Sequence, residues 1–471
     1  MADTGSAPEY KKYQTYALNV DPDQDDKATE IKLCNFSRPH MRAFHCSWWC
    51  FFIAFFIWFS ITPLLSEIAI TLDLDKQQIW TSSITGVAGT IFMRFLLGPQ
   101  CDKYGARVLF TIVLCVASIP TACTGLIQNA AGLAVLRLFI GIAGGSFVMC
   151  QYWSSRMFTK EVVGTANALV GGWGNLGGGV TQIVMGTLLF PLFKTGMSAE
   201  RAWRTVCIVP AVVAFFTGVA VQFVSDDSPK GNYKDLKKHG NMPEVSAAAS
   251  FRSGAFNFNT WILFMQYGCS FGVELTMNNA AALYFRQEFN QTTEAAAAIA
   301  SIFGWMNLFA RGIGGYSSDK MNAKMGMRGR IIVQTVLLSC EGAMVLIFAN
   351  TSNLAGAIVV MIVFSIFVQA AEGSTYGIVP YVNPSCTGSI AGIVGAGGNA
   401  GAVGFGLAFR QLESYKDAFI VMGCVILISA FLSLLIRIKG HASLLCGSDD
   451  PNIGKSALAV PEPEGEDDDD A

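Results

Sequence analysis

The chain has 471 residues, of which 52% are hydrophobic and only 14% are charged, and its mean hydropathy is +0.43. Soluble proteins carry about 25% charged residues, so this composition excludes a soluble enzyme, a disordered protein and a nucleic-acid binder. The formal net charge of -2 gives no strong long-range field. We therefore expect an all-α protein that crosses a membrane many times.

The first 45 residues are polar and lack the apolar core of a secretory signal peptide. After them come apolar stretches about 20 residues long, the length that a helix needs to cross roughly 30 Å of hydrocarbon. Twelve transmembrane helices are predicted, at 46–66, 79–100, 108–128, 131–153, 162–190, 203–224, 258–284, 295–316, 330–349, 354–379, 387–409 and 417–438.

The longest break between these spans divides them into two groups of six. The predicted units are a cytosolic N-terminal arm (1–45), an N-terminal six-helix bundle (46–224), a cytosolic linker (225–257), a C-terminal six-helix bundle (258–438) and an acidic cytosolic tail (439–471). Lys and Arg are concentrated in the segments on the side of the N-terminus, and such segments stay cytosolic. Both termini are thus predicted to be cytosolic.

The two halves share sequence patterns as well as a helix count, which predicts two six-helix repeats. The second and eighth spans both end in R-x3-G-x3-D. The members of this pattern are Arg94, Gly98 and Asp102 in the first half and Arg311, Gly315 and Asp319 in the second. Glycine-rich segments at 171–179 and 395–401 each contain one asparagine, Asn175 or Asn399. Transporters built from repeats bind substrate near the bilayer midplane, between the halves.

The two repeated arginines are predicted to lie deep in the membrane. If Asp102 and Asp319 mark the inner helix ends, arginines eight residues earlier lie about 12 Å deeper, at 1.5 Å per residue. Half of the hydrocarbon core is about 15 Å. A charge at such a depth is costly and is usually functional.

These residues also carry a family resemblance. The run Gly98-x3-Asp102-x2-Gly105-x-Arg107 resembles the loop motif after helix two of the major facilitator superfamily, and Gly315-x3-Asp319 is similar to its second copy. Arg137, followed by glycines at the fourth and eighth positions, resembles the helix-four motif of the superfamily. The resemblance implies the major facilitator fold, with these motif residues in gating or structural roles.

A narrower resemblance is to the nitrate/nitrite porter family. The segments 171–179 and 395–401 are similar to its paired signatures, and the strings that end in Arg94 and Arg311 match its two substrate arginines. The short central loop resembles the plant and algal branch of high-affinity nitrate transporters. The resemblance implies import of nitrate and nitrite, without a cofactor or metal, and a small accessory membrane subunit as a partner in plant-like members.

A guanidinium suits nitrate because its planar fork of donors matches a trigonal oxyanion. We therefore interpret Arg94 and Arg311 as a clamp with one arginine from each half. The alternative is a pair of structural arginines bonded to backbone carbonyls or acids. For Arg137 a structural or gating role is favoured.

The resemblance implies further residues around the anion. Asn175 and Asn399 border or support the site, while the surrounding glycines serve close helix packing. Aromatic rings would flank the planar ion, namely Phe147, Tyr267 and Phe271, with an ordinary core role as the alternative for each.

Nitrate uptake against 100 mV costs about 2.3 kcal/mol before any concentration term, so import by symport with protons is predicted. No histidine lies in a span, which leaves the carboxyl groups of Glu274, Glu341 and Glu372. Glu274 and Glu372 are the preferred proton carriers, and the alternative for each is a salt bridge or a helix-stabilising contact. The chain could instead be a nitrate/nitrite exchanger or a non-transporting nitrate receptor. A plasma-membrane location is expected.

Overall fold

The computed structural model of the chain describes residues 11–240, 246–291 and 293–449. The acidic segment predicted at 462–470 lies outside these ranges. Helices dominate the described residues, and two short strands pair antiparallel in the N-terminal arm, β1 (Val20–Asp21) with β2 (Lys27–Ala28).

Six long helical spans follow the arm, and a short helix, Leu65–Leu72, comes after the first of them. The spans are α1 (His40–Leu64), α2 (Lys76–Tyr104), α3 (Ala106–Leu126), α4 (Ala130–Met157), α5 (Val163–Lys194) and α6 (Ala199–Val224). The linker holds two short helices, α7 (Tyr233–Lys238) and α8 (Ala247–Ala255).

Six further spans form the second half. They are α9 (Phe258–Glu288), α10 in two pieces (Thr293–Trp305 and Ala310–Met325), α11 (Met327–Ala349), α12 (Leu354–Val382), α13 (Pro384–Gln411) and α14 (Tyr415–Leu435). The predicted all-α membrane fold is confirmed, and the twelve long helical spans of the described ranges are consistent with the predicted count.

Within the described ranges, nine helices are long and apolar enough to cross a membrane by length and composition. The other three spans, α2, α9 and α10, carry Arg94, Glu274 and Arg311, and all three of these side chains are buried. Buried charged side chains are not confined to these three spans, since Glu341 on α11 and Glu372 on α12 are buried as well.

Two spans are interrupted next to the predicted clamp. A 3-10 segment, Gly141–Gly145, lies inside α4 just before Phe147, and another, Met306–Leu308, lies inside α10 just before Arg311. A 3-10 turn departs from the α-helical hydrogen-bond pattern, so it can leave backbone carbonyls for other partners. At membrane depth such backbone is tolerated where it is buried in protein or lines a cavity.

The arm and the linker pack together on one end of the bundle, which we call the linker face. Asp226, just after α6, accepts hydrogen bonds from Lys12 Nζ at 2.5 Å and from the Tyr13 hydroxyl at 2.7 Å. Lys27 Nζ donates to the carbonyl of Ser155, near the end of α4, at 3.0 Å. These contacts attach the arm to the N-terminal half.

Candidate functional site

Arg94 is fully buried and connects the two halves. Its Nε donates to the carbonyl of Gly144 at 3.0 Å, which belongs to the 3-10 segment of α4. Its Nη1 donates to the carbonyl of Gly395 on α13 at 2.5 Å. Nη2 has no hydrogen-bond partner among the described residues. Because both partners of Arg94 are uncharged, its positive charge is not neutralised by them.

Arg311 is equally buried, but its partners are of a different kind. Its Nη1 forms an ion pair with Glu372 on α12, and its Nη2 donates to the Tyr267 hydroxyl on α9 at 2.9 Å. Nε is left without a partner in the described part of the chain. The structural alternative for the two arginines is thus partly realised, since carbonyls and an acid hold them, yet each keeps one free donor.

The Phe147 ring lies close to both arginines. The guanidinium carbon of Arg94 is 4.8 Å from its centroid and that of Arg311 is 5.4 Å away. Tyr267 and Phe271 stack nearly parallel to Phe147, at centroid distances of 5.7 and 6.0 Å. All three predicted aromatic residues are therefore gathered at the arginine pair, where cation–π contacts favour the charged guanidinium groups.

The two predicted asparagines differ in their surroundings. Asn175 Nδ2 on α5 donates to Glu274 Oε2 at 3.4 Å, across the two halves. Asn399 is fully buried on α13, one helical turn beyond Gly395, and neither side-chain atom finds a partner within the described ranges. An unpartnered buried carboxamide is costly, so Asn399 is the better candidate for a ligand contact.

Of the three predicted carboxyl groups, Glu372 contacts Arg311 directly and Glu274 bonds to Asn307, four residues before Arg311. Besides its contact with Asn175, Glu274 accepts a hydrogen bond from Asn307 Nδ2 at 2.9 Å. The ion pair of Glu372 with Arg311 is the alternative that the sequence left open for this residue. Both acids are close enough to the clamp to respond to the charge of an anion.

Two residues of the site were missed from the sequence. Tyr376, one turn after Glu372 on α12, packs edge-on against Phe147 at 4.9 Å and donates to the carbonyl of Ala391 at 3.0 Å. Asn307 lies in the interruption of α10, four residues before Arg311. The i, i+4 spacing from Glu372 could have identified Tyr376, whereas an asparagine beside a break has no such signal.

The arrangement can bind a small anion. Arg94 Nη2, Arg311 Nε and the Asn399 carboxamide are buried hydrogen-bonding groups with no partner in the part of the chain that the structure describes. Buried polar groups are normally satisfied, and two cations with free donors favour a negatively charged ligand. No group of three or more metal-ligating side chains occurs among the described residues.

The two motif aspartates close the linker face in the same way. Asp102 accepts hydrogen bonds from the backbone N–H groups of Gly388 and Ser389, at 3.0 and 3.1 Å, at the start of α13. Asp319 accepts from those of Gly164 and Thr165, at 3.1 and 2.5 Å, at the start of α5. A carboxylate is favoured at a helix N-terminus, where N–H groups are free. Each contact joins one half to the other.

The sequence model of the Major Facilitator Superfamily matches residues 47–406, which include nearly all of these spans. The chain belongs to the major facilitator superfamily. It is accordingly a multi-pass membrane transporter rather than an enzyme, as predicted.

Similar proteins include "High-affinity nitrate transporter 2.3" of Oryza sativa subsp. japonica, 37% identical over 92% of this chain and 84% of that protein. "Nitrate transporter 2.1" of Chlamydomonas reinhardtii is 37% identical over 88% of this chain and 76% of that protein. "Nitrate/nitrite transporter NrtP" of Picosynechococcus sp. is 29% identical over 77% and 83%. These matches confirm the predicted membership of the nitrate/nitrite porter family and the likeness to its plant and algal branch.

Solved structures of the superfamily share the fold. The proton:xylose symporter XylE, bound to 6-bromo-6-deoxy-D-glucose, matches with a TM-score of 0.63 at 11% identity, over 83% of this chain and 95% of that one. The human organic anion transporter MFSD10 matches with a TM-score of 0.60 at 13% identity, over 84% and 100%. At such identities the likeness concerns the fold alone.

The remaining superfamily motif residues lie away from the clamp. Gly105 joins α2 to α3 with a φ of 83°, and Arg107 forms an ion pair with Asp227 at 3.3 Å on the linker face. Burial raises the pKa of Asp227, while the neighbouring guanidinium acts in the opposite direction.

Arg137 on α4 donates to the hydroxyls of Ser82 and Ser83 on α2, at 3.0 and 2.9 Å. Contact between α4 and α2 is consistent with the structural or gating role expected for it.

The motif glycines allow the two halves to touch. A Cβ atom on Gly98 would lie 2.7 Å from the carbonyl oxygen of Gly388, and one on Gly315 would lie 2.3 Å from that of Gly164. Backbone atoms cannot yield as a flexible side chain can. The linker face can therefore close only if these two positions hold very small residues.

Gly315→Ala should favour the state in which the linker face is open. The clash lies between the halves, so separation of α10 from α5 relieves it; overpacking of about 1–3 kcal/mol would shift the balance of states by about 5- to 150-fold. A cysteine placed between the halves at the linker face should therefore be labelled faster. Transport should be slower, and Tm should change little. Gly404→Ala is the matched control, since a Cβ atom added there would meet no other part of the described chain within 4 Å. Unchanged labelling in Gly315→Ala would contradict this role.

Proposed function

We propose that this transporter imports nitrate, and also nitrite, by proton-coupled symport with alternating access. The observation that carries the proposal is the pair of fully buried arginines, one from each half, each with a free N–H donor. The anion would bind between Arg94 and Arg311, with Asn399 as a third ligand and Asn175 in support.

The chemistry of the site supports a planar monovalent anion. Phe147, Tyr267 and Phe271 form nearly parallel ring faces beside the guanidinium groups, and such faces suit a flat ion. A larger polyvalent oxyanion would need more donors to replace its water. The names of the plant, algal and cyanobacterial relatives, which are nitrate or nitrate/nitrite transporters, support the same class of substrate.

Charge balance supports a role for protons. With both carboxylates ionised, Glu274 and Glu372 offset the two arginines, so a nitrate ion would add one uncompensated negative charge to a buried site. An uncompensated charge is costly there. Protonation of one carboxylate restores neutrality, and therefore anion binding and proton binding favour each other.

Glu372 is the acid that we assign to this exchange. It forms an ion pair with Nη1 of Arg311. A proton on Glu372 would weaken this ion pair and release the arginine for the anion. Glu274, held by Asn175 and Asn307, is the second candidate and would allow a second proton per cycle.

The two aspartate contacts at the linker face support the proposal of alternating access, since each joins one half to the other. We assign this face to the cytosol, together with both termini, because Lys and Arg are concentrated there. The membrane is proposed to be the plasma membrane. The proposed partners are nitrate, nitrite, protons, the lipid bilayer and a small accessory membrane subunit.

The experiment is to measure nitrate-dependent current in an expressing cell as a function of external pH. Symport of two protons with each nitrate would carry net positive charge, so we expect an inward current that increases as the external pH falls. Nitrate exchange without current or pH dependence would favour an exchanger instead. Nitrate binding without any flux would favour a receptor and contradict the transport function.

A further inference from the structure

The two copies of the aspartate contact differ in one partner. Asp319 also forms an ion pair with Arg330 at 2.7 Å. Asp102 forms no ion pair within the described ranges, because Arg107, which follows it in the motif, is paired with Asp227. In place of a cation, Asp102 accepts a hydrogen bond from the Ser250 hydroxyl at 2.6 Å.

Ser250 belongs to α8, a linker helix without a counterpart in the repeats. Its side chain is buried, and its Oγ also lies 2.6 Å from Ser389 Oγ at the start of α13. Ser389 in turn hydrogen-bonds to Asp102 through its backbone N–H and its hydroxyl. Ser250 thus joins α2 of the first half to α13 of the second.

The rest of α8 is fixed on both sides of this contact. Phe251 packs against Phe95 on α2, with ring centroids 6.3 Å apart. Ser253 Oγ accepts a hydrogen bond from Asn383, just before α13, at 3.1 Å. Separation of α2 from α13 must therefore pull α8 away from at least one of them.

We propose that Ser250 is a positioning residue of the transport cycle, and that its hydroxyl fastens α8 across the closed linker face. Hydrogen bonds to a carboxylate are stronger than neutral ones, so the bond to Asp102 favours the closed state. The contact between α8 and Asp102 must therefore break and re-form once in each transport cycle. This role goes beyond the proposed substrate and does not depend on which anion is carried.

The test compares Ser250→Thr with Ser250→Val, two side chains of similar shape that differ by the hydroxyl. The readout is maleimide labelling at Cys386, which is buried in the first turn of α13 on the linker face, in inside-out vesicles. The labelled site is mapped by peptide mass spectrometry. We expect Ser250→Val to raise the labelling rate about 10- to 100-fold, as loss of a charge-assisted hydrogen bond predicts. Ser250→Thr should behave like the wild type.

Two further measurements keep the proposal open to refutation. Ser253→Ala is the matched control, since Ser253 touches Asn383 but not Asp102, and it should label more slowly than Ser250→Val. Gly315→Ala, in a chain that keeps Ser250, should speed hydrogen exchange of the α8 amides because it favours the open linker face. Equal labelling of the Thr and Val variants, equal effects at Ser250 and Ser253, or unchanged exchange in α8 would each overturn the proposal.

Discussion

Replacing Arg94 with lysine should raise the apparent KM for nitrate by about 10- to 100-fold, because hydrogen bonds to charged groups contribute about 1.5–3 kcal/mol each. An ammonium keeps the charge but not the planar fork that reaches Gly144, Gly395 and the anion together. Arg311→Lys should have a similar effect, since it also loses the link to Glu372 and Tyr267. Uptake of labelled nitrate over a range of concentrations measures both.

The matched control for this prediction is Arg137→Lys. Arg137 lies within the fourth predicted span, and it hydrogen-bonds to two serines away from the clamp. Its replacement should leave the KM for nitrate unchanged, even if the maximal rate falls. Surface expression must be shown for every variant. Normal nitrate kinetics in both Arg94→Lys and Arg311→Lys would refute the proposed binding site.

The variant Glu372→Gln should separate anion binding from proton coupling. It removes the negative charge opposite Arg311, so the anion no longer needs a proton to displace a counter-ion. Coupling between two bound ligands typically changes affinity by about 5- to 150-fold. We expect the wild-type KM for nitrate to change with pH by such a factor, and the KM of Glu372→Gln to be independent of pH. Uptake driven by acid external pH should be lost, while exchange of labelled for unlabelled nitrate should continue.

Glu341→Gln provides the comparison for this prediction. Glu341 is also fully buried in the second half, but neither carboxyl oxygen contacts an arginine or any other partner among the described residues. If Glu341→Gln abolishes the pH dependence and Glu372→Gln preserves it, the proton route runs through Glu341 and our assignment is wrong.

Much of the fold could be predicted because membrane helices follow a simple rule of length and composition. The repeated pattern around Arg94 and Arg311 predicted that both lie in the interior, and both are buried. The premise that the aspartates mark helix ends is correct for Asp102 but wrong for Asp319, since that helix continues to Met325. The family resemblance selected Phe147, Tyr267 and Phe271, and the structure gathers them around the arginines. Their functional roles remain predictions.

Partners that come from distant parts of the chain could not be predicted. The carbonyl of Gly395 binds Arg94 across 301 positions of sequence, and the Ser250 hydroxyl reaches Asp102 across 148. Backbone carbonyls have no sequence signal, and one serine in a polar linker resembles any other. The sequence also could not predict that Arg94 binds carbonyls while Arg311 binds an acid, because the motifs around the two arginines are alike.

The carbonyl partners of Arg94 have a consequence for biosynthesis. Chains are made from the N-terminus, so α2 reaches the membrane before α4 supplies Gly144 and long before α13 supplies Gly395. Until then its guanidinium must remain near water or lipid headgroups, since an unpaired charge in hydrocarbon is costly. Final seating of α2 therefore depends on late synthesis of the second half. Premature termination would leave the first half with an unsatisfied cation, a feature by which membrane quality control could recognise an incomplete chain.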